Sequence, residues 1–173
     1  MTRASVSRIL VASAIALVVA CDEAPRDLVS GEDPCRYCRM AIDDIRFGAM
    51  VKTDKGKIET FDSIECLAAF IGNLPASMKP KGVWVADFTR PDRWIDVDSA
   101  RFVQTTTLKS PMGRELAAFD PNLSAEELTR TYGGRVLDWH AVKAIVLSQP
   151  FAPKGAAGTS SEASAVAAAA HTH

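Results

Sequence analysis

Cys35 and Cys38 lie in the run Asp33-Pro34-Cys35-Arg36-Tyr37-Cys38-Arg39-Met40-Ala41-Ile42, spaced so that both sulfurs can reach one point. Met40 adds a third sulfur two residues later, Cys66 a third thiol, and Met112 a thioether inside Ser110-Pro111-Met112-Gly113. A Pro/Gly turn is an odd place for methionine, whose usual work is filling cores. Four chemistries fit these donors. A disulfide between Cys35 and Cys38 would close only a small loop, with little chain entropy to gain, and would leave Cys66 unpaired. Structural zinc would take Cys35, Cys38, Cys66 and His140 as a Cys₃His set, ignoring both methionines. Thiol–disulfide exchange would use Cys35 and Cys38, although no strand-then-helix context of the thioredoxin kind surrounds them. Thiolate together with thioether is a soft donor set that selects Cu(I).

The elements that position these sulfurs are short. Phe47–Thr53 and Lys57–Phe61 flank Asp54-Lys55-Gly56, which reads as a hairpin with Gly56 supplying the positive φ. Asp62 then reads as a helix N-cap with Glu65 three residues on, a capping box. That places Cys66 in the first helical turn, where free N–H groups favour a thiolate. Leu67, Phe70, Ile71 and Leu74 form the apolar face of this helix. Beyond a Pro/Gly/Lys stretch from Leu74 to Gly82 come strand-like Val83–Phe88 and Arg101–Thr107. A second capping box, Ser124/Glu127, opens a helix that stops at Gly133-Gly134. Val136-Leu137 is a short strand, and Asp138 caps a last helix through Leu147. The expected fold class is α+β, with two small lobes of short antiparallel strands and packed helices, about 33–73 and 82–151 within a domain of 33–151.

The ends of the chain address it to a place. Arg3 and Arg8 precede an apolar run, Ile9 to Ala20, broken only by Ser13. As a helix these twelve residues rise about 18 Å, short of a ~30 Å hydrocarbon core, so 1–20 read as a signal peptide rather than a span. The run ends Val18-Val19-Ala20-Cys21, resembling a lipobox with Cys21 as the acylated mature N-terminus. Residues 21–32 then read as a polar tether. Asp22 resembles the signal that retains many bacterial lipoproteins at the inner membrane, with the outer membrane as the alternative. Residues 152–173, rich in Ala, Gly and Ser, read as a disordered tail. Its His171 and His173 could capture a metal ion weakly.

The chain has 173 residues, with 20 Lys and Arg against 21 Asp and Glu, so no basic excess argues for nucleic acid. No Ser/His/Asp set, phosphate loop or paired carboxylates in a recognisable context argues for catalysis. A non-enzymatic protein is expected.

The arrangement resembles a known family. Cys-x-x-Cys-x-Met-x-Ile over 35–42, Phe61-Asp62 before a Cys-bearing helix, Lys109-Ser110-Pro111-Met112-Gly113 with Ala118-Phe119, and Gly133-Gly134-Arg135-Val136-Leu137 look like NosL. That family consists of lipoproteins acting as copper chaperones in assembly of nitrous oxide reductase. The resemblance implies a lipid-anchored periplasmic Cu(I) carrier whose candidate metal residues are Cys35, Cys38, Met40, Cys66 and Met112. Its implied partners are the copper-site maturation apparatus and nitrous oxide reductase. Arg39 departs from the pattern, since the family usually has Gly there. The other readings are a membrane-tethered thiol–disulfide redox protein using Cys35/Cys38 and a zinc-stabilised binding module.

Overall fold

The computed structural model describes residues 25–149 and 151. Cys21, residues 1–20 and the 152–173 tail, with His171 and His173, lie outside the described residues. The fold is α+β, built on two small antiparallel sheets. In the first, β1 (Ala49–Lys52), β2 (Ile58–Phe61), β3 (Gly82–Asp87) and β4 (Arg90–Asp96) take the order β2-β1-β3-β4. In the second, β5 (Arg101–Gln104), β6 (Leu116–Phe119) and β7 (Arg135–Leu137) take the order β6-β5-β7. Helices α1 (Ile64–Gly72), α2 (Ala125–Tyr132) and α3 (Trp139–Ser148) pack around them.

The β1/β2 hairpin closes as its turn chemistry dictates, with Thr53 N–H donating to Lys57 O at 2.9 Å and Gly56 at φ 82°. The Pro/Gly/Lys stretch does not divide the sheets, however. It returns the chain from α1 to β3, which pairs with β1 from Ala49↔Val85 to Lys52↔Gly82. The change of sheet falls instead between Asp96 and Arg101. A loop of this composition marks a surface crossing, and the buried face of β3 decides which sheet it joins.

Two strands carry weak sequence signals. In β4, Pro91 and four charged residues suit an edge position, where a missing N–H faces no partner strand. In β6, every residue of Leu-Ala-Ala-Phe is buried, so no alternation shows. The reason is that the second sheet is covered on both faces. Phe102, Leu116 and Ala118 pack with α1 and α3 residues in the main core, while Val103, Ala117 and Phe119 pack with Leu128 of α2.

The tether is also shorter than expected, since its C-terminal part lies on the domain. Gly31 N–H donates to Ile42 O at 2.9 Å, and both guanidinium nitrogens of Arg26 grip Asp33. Leu28 Cδ1 lies so close to Gly48 that a Cβ there would meet it at 2.4 Å.

Candidate metal centre

Two local devices bring the thiols inward, one for Cys35 and Cys38 and one for Cys66. The 34–41 segment folds back on itself: Cys35 N–H donates to Met40 O at 2.8 Å and Arg39 N–H to Cys35 O at 2.9 Å. Arg39 closes this turn at φ 64°, a left-handed conformation that favours glycine. The departure from the Gly that the resemblance implies therefore falls at a position whose backbone favours glycine. Arg36 N–H and Thr60 Oγ1 then lock the segment to β2, bonding Thr60 O at 2.7 Å and Pro34 O at 2.8 Å.

Cys66 arrives on α1, whose cap is Ser63 rather than Asp62. Ser63 Oγ accepts from Cys66 N–H at 3.2 Å, so the helix starts one residue later than its sequence suggests. Two side chains are thereby released from the expected capping box. Asp62 turns to the sulfurs and accepts from the Cys38 thiol at 3.4 Å. Glu65, fully buried, accepts from Ser110 Oγ and, at 3.2 Å, from Arg114 N–H, clamping the Met112 turn to the helix that carries Cys66. Burial pushes the Glu65 carboxyl up from its ordinary value.

The outcome is a compact cluster. The ligand atoms of Cys35, Cys38, Asp62 and Cys66 all lie within 4.8 Å of one another, and all four residues are buried. The three cysteines are free thiols. Metal–sulfur bonds of about 2.3 Å require sulfurs roughly 4 Å apart around a shared ion, so little movement separates this geometry from a bound state. Asp62 Oδ1 is buried without a hydrogen-bond partner, leaving an unpaired acceptor beside the thiols.

The thiols differ in acidity. The Cys66 thiol donates to Cys35, helped by the backbone amides of Asp62 and Cys38, and lowers Cys35 to about 7. Burial, followed by the Cys35 charge, pushes Cys38 up to about 12. Cys66, already engaged by Cys35 and buried, is pushed up as well. Cys35 is thus the first thiolate of the set.

The methionines stand at the rim. Met40 and Met112 are half-buried against the core that holds the cysteines. A cavity of about 240 Å³ is lined by Met40, Asp62 and Pro111 among others, bringing the Met40 segment and the Met112 turn to one opening beside the cluster. His140 is not brought there. Trp139 packs inward against Phe102, with ring centroids 5.8 Å apart, and the next helical position, His140, faces solvent. The fourth member beside the thiols is Asp62, whose sequence position predicts a helix cap instead. The available signal was Ser63, an equally good capping residue directly before Ile64.

The NosL family model matches residues 27–147. The chain belongs to the NosL family. Among relatives, it is similar to the copper-binding lipoprotein NosL of Stutzerimonas stutzeri, with 28% identity over 124 residues. That match covers 68% of this chain and 65% of the relative, so the chain spans somewhat under two thirds of the relative's length. The fold is similar to the crystal structure of the copper chaperone NosL from Shewanella denitrificans, with a TM-score of 0.56 and 21% identity. That superposition covers 68% of this chain and 94% of the other. In this chain the Cys-x-x-Cys-x-Met run occupies the fold-back, and Ser110-Pro111-Met112-Gly113 the Glu65-clamped turn.

Proposed function

We propose that this protein is a non-enzymatic Cu(I) carrier, lipid-anchored through Cys21 on the periplasmic side of the membrane. In this reading it delivers copper for maturation of nitrous oxide reductase. The convergence of three buried free thiols within 4.8 Å carries the proposal. Soft thiolates select Cu(I), and Met40 and Met112 at the rim offer soft neutral donors along the way in or out. No helix of the described residues is long and apolar enough to cross a membrane.

Thiol–disulfide exchange is disfavoured by the same geometry. An attacking thiolate must be accessible, yet all three sulfurs are buried, and Cys38 and Cys66 are held protonated, with pKa values pushed above the ordinary thiol range. Zinc is the second reading, and Asp62 favours it, because a carboxylate oxygen suits a borderline ion better than it suits Cu(I). Anaerobic titration of the protein with Cu(I) and Zn(II), read by native mass spectrometry, separates the two. One Cu(I) retained in the presence of equimolar Zn(II) supports the carrier. Zinc retained over copper supports the binding module.

A further inference from the structure

The cations of this chain are unevenly placed, and topology explains where they gather. β1 ends, β2 begins and β3 begins at the same end of the first sheet, as the pairs Lys52↔Ile58 and Lys52↔Gly82 require. That end therefore collects Lys52, Lys55 and Lys57 from the hairpin with Lys79 and Lys81 from the approach to β3. Within the hairpin turn the opposing charge is Asp54. Asp96 and Asp98 close the far edge beyond β3, so the positive side is the side of β2.

On that side a cleft of about 420 Å³ continues the same charge. Lys57 belongs to both, and Arg26, Arg36 and Arg39 line the cleft, with Glu59 as its carboxylate. Glu59 is already shared by Lys57 at 2.8 Å and Arg36 at 3.6 Å, and Arg26 is held by Asp33. Arg39, Lys55, Lys79 and Lys81 are exposed and make no ion pair among the described residues. This concentration stands on a chain whose formal net charge is −1. Cys35 forms part of the cleft wall.

The occupant follows from where the described chain begins. Arg26 lies five residues after Cys21, so even a fully extended segment keeps it within about 18 Å of an acylated Cys21. We infer that the basic end of the first sheet, from the hairpin turn and Lys79–Lys81 to the Arg-lined cleft beside Cys35, docks on an anionic phospholipid surface. The inference rests on the anchor reading of the proposed function and adds an orientation to it. A lipid anchor alone leaves the domain free to tumble, whereas attraction of several Lys and Arg to anionic headgroups within a Debye length of about 8 Å selects one face. That face turns the Cys35 wall toward the membrane.

Amide hydrogen exchange of the full lipidated chain on vesicles tests this. Two compositions serve, phosphatidylcholine alone and phosphatidylcholine with phosphatidylglycerol in roughly a two-to-one ratio. The anionic vesicles should slow exchange over residues 52–57, 79–81 and 36–40 by about fivefold or more relative to the neutral ones. The contrast should vanish at about 0.5 M salt. It should also vanish in the Lys55→Glu/Lys81→Glu variant, whose altered side chains are exposed and whose melting temperature should be unchanged. A chain held on both vesicles with identical exchange in these segments overturns the docking while leaving the anchor standing. A chain that associates with neither vesicle overturns both readings. Protection by poly-L-glutamate without protection on anionic vesicles would assign the face to an acidic protein and overturn the lipid assignment.

Discussion

At Arg39 and the three cysteines, single side chains set properties that the rest of the fold tolerates. Arg39 holds φ 64° with a Cβ, which costs about 1 kcal/mol relative to glycine. Arg39→Gly should therefore raise the melting temperature by roughly 3–5 °C without altering the number of metal ions bound. A fall in thermal denaturation by circular dichroism would show instead that the Arg39 side chain stabilises the fold-back. The thiols make a second expectation. Near neutral pH Cys35, lowered to about 7, shares its proton with solvent, whereas Cys38, at about 12, and Cys66, pushed up, carry theirs. Loading an ion onto three thiolates at pH 7 should then release about two to three protons, and affinity should increase as pH rises. Release of fewer than one proton in a weakly buffered indicator titration would mean that the thiols are not the ligands.

Among the elements, what could be read from the residues depended on how local the deciding interaction is. The β1/β2 turn, the Ser124/Glu127 capping box and the Asp138 cap form as their own residues dictate, because each is settled within a few positions. The start of α1 was not so legible, since Asp62 and Ser63 both cap well and tertiary burial of Asp62 beside Cys38 decides between them. β4 and β6 escaped for opposite reasons, one being charged and Pro-bearing at an edge, the other apolar on both faces. The turn between α2 and β7 gives a sharp mutational contrast. Gly134 sits at φ 71°, and a Cβ there would meet Gln104 O at 2.0 Å, a backbone atom that cannot move aside. Gly56 has φ 82° but open space around it. Gly134→Ala should cost more than about 3 kcal/mol in denaturant unfolding, and Gly56→Ala only about 1. Equal costs would contradict the close approach of that turn to β5.

Across the whole molecule, the candidate metal residues join parts of the chain that are distant in sequence. The Cys35 fold-back rests on β2, Cys66 opens α1, and the Met112 turn is tied to α1 by Glu65. The sulfur residues were legible as types and spacing. The means of their convergence was not, because it depends on β2 placing Thr60 against Pro34 and Arg36. An ion that gathers these segments must stabilise the fold that presents them. With free Cu(I) a thousandfold above the dissociation constant, stabilisation of about 4 kcal/mol follows from mass action. The melting temperature should rise by roughly 15 °C, and in Cys66→Ser by much less. An equal rise in both proteins would place the copper elsewhere.

The central claim is that one Cu(I) is held by the convergent thiols of Cys35, Cys38 and Cys66. X-ray absorption at the copper edge of the stoichiometrically loaded protein addresses it most directly. The expected first shell is sulfur, about three atoms, falling by one in Cys35→Ser and in Cys66→Ser. A shell without sulfur, or one unchanged in both variants, would contradict it.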